Sequence, residues 1–175
     1  SAGSAHKVDF LLQRCGFAAA FDHRSVDIDE ALQTHCPRGI DLYFDNVGGR
    51  TLEAALRHAN VAARIAVCGM ISAYNDTTDA GIRGLQAVLT QRIQLTGFII
   101  YDHVHKLPAY QARVAPWLRS GELVFHEDIV PGFDNAPAAL IGMMKGEAIG
   151  KRLVQVVPEC ALRCSCPRQD SKWRC

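Results

Sequence analysis

This 175-residue sequence predicts an α/β fold, an incomplete doubly wound parallel sheet with helices on both faces. Three observations carry that expectation. Short, continuously apolar runs alternate with segments of helical periodicity, as in a parallel sheet sandwiched between helices. The hydrophobic fraction of 49% and the chain length suffice for one domain with a real core, and the length is short for two. One apolar run, Gly39-Ile40-Asp41-Leu42-Tyr43-Phe44-Asp45-Asn46-Val47-Gly48-Gly49, stops at an acid, an amide and two glycines. In open α/β sheets ligands sit beyond strand ends of this kind.

The elements follow in order. Val8, Leu11, Leu12 and Cys15 lie at helical spacing and predict a helix over 6–15, stopped by Gly16. A short apolar stretch, 18–21, comes next. Residues 27–35 read as a second helix, with an acid at its start and Pro37 beyond its end. The strand 41–44 leads into a helix over 51–59, and Arg64-Ile65-Ala66-Val67-Cys68 is a strand ending at Gly69. A helix is expected over 82–91, a buried strand over 94–100 and a helix over 107–119, with Pro108 tolerated in its first turn. Extended stretches around 123–125 and 129–130, a helix over 136–145 and a strand over 153–157 complete the body. No internal repeat interrupts it.

The formal net charge is +1, the basic residues are scattered and aromatics make up only 7%, so nothing points to nucleic acid. No apolar run approaches the ~20 residues that span a bilayer, and no signal peptide opens the sequence. A cytoplasmic, reducing setting is expected. Of the seven cysteines, Cys15, Cys36 and Cys68 occupy positions that read as half or fully buried. Cys160, Cys164, Cys166 and Cys175 crowd into a tail whose spacing is uneven and which has no histidine, so zinc is disfavoured there and no metal ligands are assigned. The boundaries expected are a body over 1–157 and a Cys-rich, disordered tail over 158–175.

At the end of the 41–44 strand, Asp45 and Asn46 can hydrogen-bond sugar hydroxyls or an amide, and Gly48 and Gly49 allow a tight turn into the next helix. Read without further context, such a bend is also an ordinary strand-to-helix turn. The glycine signature with which a dinucleotide-binding sheet opens, Gly-x-Gly-x-x-Gly, does not occur. The pattern begins instead at Ala2-Gly3-Ser4-Ala5-His6-Lys7, which reads as the end of a second strand followed by a helix.

Four segments together carry a resemblance: Tyr43-Phe44-Asp45-Asn46-Val47-Gly48-Gly49, the run Arg64 to Asn75, Gly97-Phe98-Ile99-Ile100-Tyr101, and Gly132-Phe133-Asp134-Asn135-Ala136-Pro137 with Lys145-Gly146-Glu147. In that order and spacing, over about 2–157, the sequence resembles the zinc-independent medium-chain dehydrogenase/reductases, in particular the NADPH-dependent alkenal, prostaglandin and curcumin reductase branch. The resemblance implies a Rossmann-type NADP-binding domain, here partial, with a segment returning toward a substrate domain. It implies that Lys7 meets the adenosine 2′-phosphate and that His23 stands near the adenosine end, where the family often has Tyr. Asn46 would lie by the cofactor, and Cys68, Gly69, Met70, Ile71, Ser72 and Tyr74 would wall its nicotinamide half. The backbone of Phe98, Ile99 and Ile100 would meet the carboxamide. Read as sequence alone, those three are equally buried strand residues. Ala148 replaces an Asn common in the family, which removes one amide contact.

The implied reaction is hydride transfer from NADPH to the β-carbon of an α,β-unsaturated ketone or aldehyde, with no catalytic metal. Tyr74 is the candidate catalytic residue, donating a hydrogen bond to the enolate oxygen or the ribose; Tyr101 and His103 are weaker candidates. Without the glycine turn that holds the pyrophosphate, this chain is expected to bind NADPH weakly and to turn over little alone. Its sheet edges open the way to a homodimer or edge-strand pairing. The alternatives are a non-catalytic nucleotide-binding or interaction module and, more remotely, an S-adenosylmethionine-dependent methyltransferase.

Overall fold

The computed structural model of the chain describes residues 1–74 and 81–156. Val157 and the Cys-rich tail expected over 158–175 lie outside the described residues, as does Asn75. The chain divides into two compact units, 1–117 and 118–175.

The first unit is built on a three-stranded parallel sheet in the order β1-β2-β3, from β1 (Ile40–Asp45), β2 (Ala59–Val67) and β3 (Gln94–Gly97). Ahead of it come α1 (Ala5–Gln13) and α2 (Ile28–His35); α3 (Gly49–Arg57) joins β1 to β2, and α4 (Gln86–Thr90) precedes β3. The helix ends follow local chemistry. Ser4 caps α1 by accepting the Lys7 N–H, and Asp27 caps α2 by accepting the N–H groups of Asp29 and Glu30. Gly16, with φ +69°, follows the end of α1 as expected.

The core lies where α3 meets the sheet. Leu52 and Leu56 of α3 pack with Ala59, Ala63 and Ile65 of β2 and with Ile93, and Tyr43 of β1 leans on the same cluster. Strand alternation then sends Leu42 and Phe44 to the opposite face, where they remain 65% and 58% exposed. A shallow groove of about 480 Å³ crosses that face, lined by Leu42, Phe44, Arg64, Ala66, Gln94 and Thr96 among others.

Two elements are shorter than their sequence pattern predicts. The helix expected over 82–91 is reduced to Gln86–Thr90. The strand expected over 94–100 stops at Gly97 because its partner does: Val67↔Gly97 is the last pair of the ladder.

The second unit holds a separate two-stranded parallel sheet, β4 (Glu127–Pro131) beside β5 (Lys151–Gln155), connected through α6 (Ala136–Met144). Asp128 stands directly opposite Arg152 in that ladder, and the guanidinium donates to its carboxylate at 2.7 Å. The Lys145-Gly146-Glu147 segment is the stop of α6. The Gly146 N–H donates to Met143 and the Glu147 N–H to Gly142, both at 2.9 Å, which is a complete Schellman closure. The remaining helix, α5 (Leu107–Ser120), carries Pro116 within it.

Candidate functional site

The carboxyl ends of β1, β2 and β3 point the same way, and the loops that leave them form one edge. The first loop is organised by Asp45, whose side chain is fully buried. Its Oδ1 accepts from the Tyr43 hydroxyl at 3.0 Å, the Val47 N–H at 2.9 Å and the Gly48 N–H at 3.1 Å. Burial, and then the Asp45 charge, push the Tyr43 phenol well above the ordinary tyrosine range, so it stays a donor. The expectation that Asp45 serves a ligand is therefore corrected: its oxygens face inward and hold the turn. Sequence reasoning missed this pairing. The signal was there in the spacing, since Tyr43 and Asp45, two apart, share one face of the strand. Asn46 is the polar side chain that the turn leaves exposed, beside Val47.

The second loop, 68–74, is laced to the first. Cys68 and Gly69 donate their N–H groups to the Asp45 carbonyl at 2.8 and 3.1 Å, Ile71 donates to Asn46 and Ser72 to Val47. The Ser72 hydroxyl also donates to the Val47 carbonyl, at 2.6 Å. Close approach is possible because Gly48 and Gly69 lack side chains: a Cβ on Gly48 would meet Met70 at 3.3 Å, and one on Gly69 would meet the Asn46 carbonyl at 3.3 Å. Cys68 is exposed, against the expected burial, because it lies one residue beyond the end of β2. Cys15 and Cys36 are half-buried, as expected. Met70, Ile71 and Tyr74 are exposed, Tyr74 at 68%.

The third loop begins at Phe98, whose N–H donates to the Val67 carbonyl at 3.2 Å. Ile99 and Ile100 are 63% and 64% exposed, which overturns their reading as buried strand residues; with β2 ended there is no neighbour to cover them. The Phe98 ring tilts against Phe44 and His103, with centroids 5.9 and 6.0 Å away. Tyr101 is exposed on the surface beyond it. Asn46, residues 68–74 and residues 98–100 are thus brought to one edge.

Lys7 and His23 form a separate corner. Ala2 bridges Asp22 in parallel register, with the Ala2 N–H donating to Phe21 at 2.9 Å and the His23 N–H to Ala2 at 3.0 Å. That bridge sets the first turn of α1, where Lys7 stands, beside the 22–25 turn. The His23 imidazole is held below its ordinary range mainly by desolvation; the Asp22 charge opposes this, and the Arg24, N-terminal and Lys7 cations add to it. Between this corner and the Asn46 turn lies a cavity of about 250 Å³, lined by Ser1, Phe21, Asn46, Val47 and Thr51 among others. Among the described residues, no group of three or more His, Cys, Asp or Glu is placed to hold a metal ion.

With this geometry the family model for zinc-binding dehydrogenases matches residues 1–116. The chain belongs to that family. It is 43% identical over 160 residues to the NADP(+)-dependent 2-alkenal reductase of Nicotiana tabacum, covering 91% of this chain and 47% of that protein. It is 41% identical over 160 residues to the (+)-pulegone reductase of Mentha piperita, again over 91% and 47%. Among solved structures it is similar to CurA of Vibrio vulnificus in complex with NADPH, at a TM-score of 0.84 and 37% identity, covering 90% of this chain and 48% of that one. The chain therefore spans about half the length of the relatives it matches. The Rossmann-type parallel architecture expected from the sequence is the one this chain shares with CurA.

Proposed function

We propose that this chain binds NADP along the carboxyl edge of its parallel sheet, as part of a reductase that acts on the C=C bond of α,β-unsaturated ketones and aldehydes. The observation that carries the reading is the convergence of three strand-end loops at one edge, in a chain similar in structure to CurA of Vibrio vulnificus, which was solved with NADPH. The residues present fit the two ends of that cofactor. The corner of Lys7 and His23 offers a cation and a ring to a phosphorylated adenosine. The opposite end offers the exposed amide of Asn46, exposed apolar Ile99 and Ile100, and backbone polar groups past the strand ends.

When bound, the cofactor supplies a hydride to the β-carbon of the conjugated substrate. The chain's contribution is positioning. Cys68 to Tyr74 wall the ring, the backbone at 98–100 fixes its carboxamide, and the Tyr74 hydroxyl donates to the developing enolate oxygen or to the ribose. Residues 1–157 form the cofactor domain in this reading, and the substrate is a small conjugated carbonyl compound in the cytoplasm. No described helix is long and apolar enough to cross a membrane.

Titration of the purified chain with NADPH, followed by the fluorescence of the reduced nicotinamide, tests the proposal. Saturable binding is expected, weaker than about 1 μM because the sequence holds no Gly-x-Gly-x-x-Gly turn for the pyrophosphate. Absence of saturation into the millimolar range overturns the assignment.

A further inference from the structure

We propose that the open face of the three-stranded sheet is a docking surface for one amphipathic helix of a partner protein, a helix whose apolar stripe carries a carboxylate that pairs with Arg64.

Register builds that face. Leu42, Arg64 and Gln94 stand side by side across β1, β2 and β3, and Phe44, Ala66 and Thr96 form the next row on the same side. The other side of these strands is closed, because Ala63 and Ile65 of β2 are buried with Leu52 and Leu56 of α3. On the open side Leu42 and Phe44 stay exposed, and the groove of about 480 Å³ runs across both rows. A parallel sheet is ordinarily covered on both faces, and the covering element is a helix. Three strands spaced about 4.8 Å apart set their outer members roughly 10 Å apart, which is the width of one helix.

The chemistry across the face selects the partner. β1 supplies apolar side chains, β3 supplies polar ones, and Ala66, the smallest of the six, leaves a dip in the middle of its row. The one charge in the two rows is Arg64, exposed on the central strand. Among the described residues no ion pair includes it; those present join Asp29 to Arg57 and His58, and Asp128 to Arg152. A wholly apolar helix laid on this face would bury the guanidinium without a counter-charge, which opposes docking. A helix with Asp or Glu in its stripe instead closes a charge-assisted pair in which the guanidinium fork meets both carboxylate oxygens. The two rows lie about 7 Å apart along β2, close to one helical turn of about 5.4 Å. The carboxylate therefore belongs one turn from the apolar residue that fills the dip at Ala66.

Fluorescence anisotropy with labelled synthetic helices tests this. The peptides share a leucine stripe and a polar outer face, and differ at one stripe position, which holds Glu, Gln or Lys. Wild-type chain is expected to bind the Glu helix about tenfold or more tighter than the Lys helix. Arg64→Met is expected to erase that ranking and Arg64→Glu to reverse it, with circular dichroism showing both variants folded, since the position is exposed. Reversal is the outcome that a non-specific apolar surface cannot give. Phe44→Asp, on the same face, is expected to weaken all the peptides. Affinities that ignore the stripe position, a wild-type ranking that survives in Arg64→Glu, or no binding of any helix overturns the proposal. So does sedimentation that shows a dimer dissociated by Arg64→Glu, because the occupant of the face is then a second copy of this chain.

Discussion

At the scale of single residues, the most consequential group is the Asp45 carboxylate. It is the only buried charged residue among those described, and it faces no cation: three donors surround it, from Tyr43, Val47 and Gly48. A carboxylate so arranged is a template, because it fixes the turn that exposes Asn46 and lets the 68–74 loop close against it. Removing it strands three donors in a site where each orphan costs about 1–3 kcal/mol. Asp45→Ala is expected to lose about 3 kcal/mol or more of unfolding free energy in urea, with Asp45→Asn losing less because one acceptor oxygen survives. A loss under about 1 kcal/mol for the alanine variant would show that the turn holds itself.

At the scale of elements, α3 joins the core to the site. Leu52 and Leu56 seat it on β2, and its first residue follows Gly48, whose φ of +70° and contact with Met70 tie the helix start to the second loop. Leu56 is 1% exposed, so truncation leaves a cavity against Ala63 and Ile65 that rigid strands cannot fill. Leu56→Ala is expected to cost about 2–5 kcal/mol. Leu89→Ala, at a position 79% exposed, should change stability by no more than about 0.5 kcal/mol. Chemical denaturation of the pair checks the contrast; equal costs would mean the core is misplaced. The ion pair between Arg57 of α3 and Asp29 of α2, at 2.6 Å but with side chains 48% and 40% exposed, contributes far less, about 0.2–1 kcal/mol.

At the scale of the whole molecule, the shifted groups predict how stability varies with pH. His23 resists protonation in the folded chain, whereas the unfolded chain takes up that proton near 6.5, so stability falls as pH drops below 6.5. Asp29 and Asp128 are held below the usual carboxylate value of 3.8 by hydrogen bonds from Arg57 and Arg152; their contribution is present above 3.8 and is lost as pH falls through their folded values. Tyr43 acts on the other side. Its phenol is raised, so its contribution is full below 10 and is lost as pH rises beyond it. Burial likewise holds the Ser1 amine below its ordinary 8.0, so unfolding midpoints measured across pH should be flat only between about 8 and 10 and decline on both sides. Tyr43→Phe should remove part of the alkaline decline. An alkaline limb identical in that variant would place the phenol in solvent.

Element types along the chain were legible because they rest on local rules: apolar spacing, an acid or serine before a helix, a glycine after one. That is why α1, α2, α3, α5 and α6 and the parallel strands appear close to where periodicity puts them. The segment Asp45-Asn46-Val47-Gly48-Gly49 was legible as a strand-end bend, and the four ordered motifs were enough to point to the family. Contacts between distant segments decided the rest. Nothing in the order of residues says that β2 ends at Val67 and so leaves Ile99 and Ile100 bare, or that Cys68 falls just past the last rung. Nor does it reveal that Asp45 turns inward while Asn46 turns out, since both are polar and adjacent. Only the burial of one face of β1 against α3 separates them. Gly3 and Arg24 are far apart in the sequence, and they meet because Ala2 pairs with Asp22. Sequence sets which local structures are favourable; tertiary packing sets which polar groups lose water, and that loss assigns each one to the scaffold or to the site.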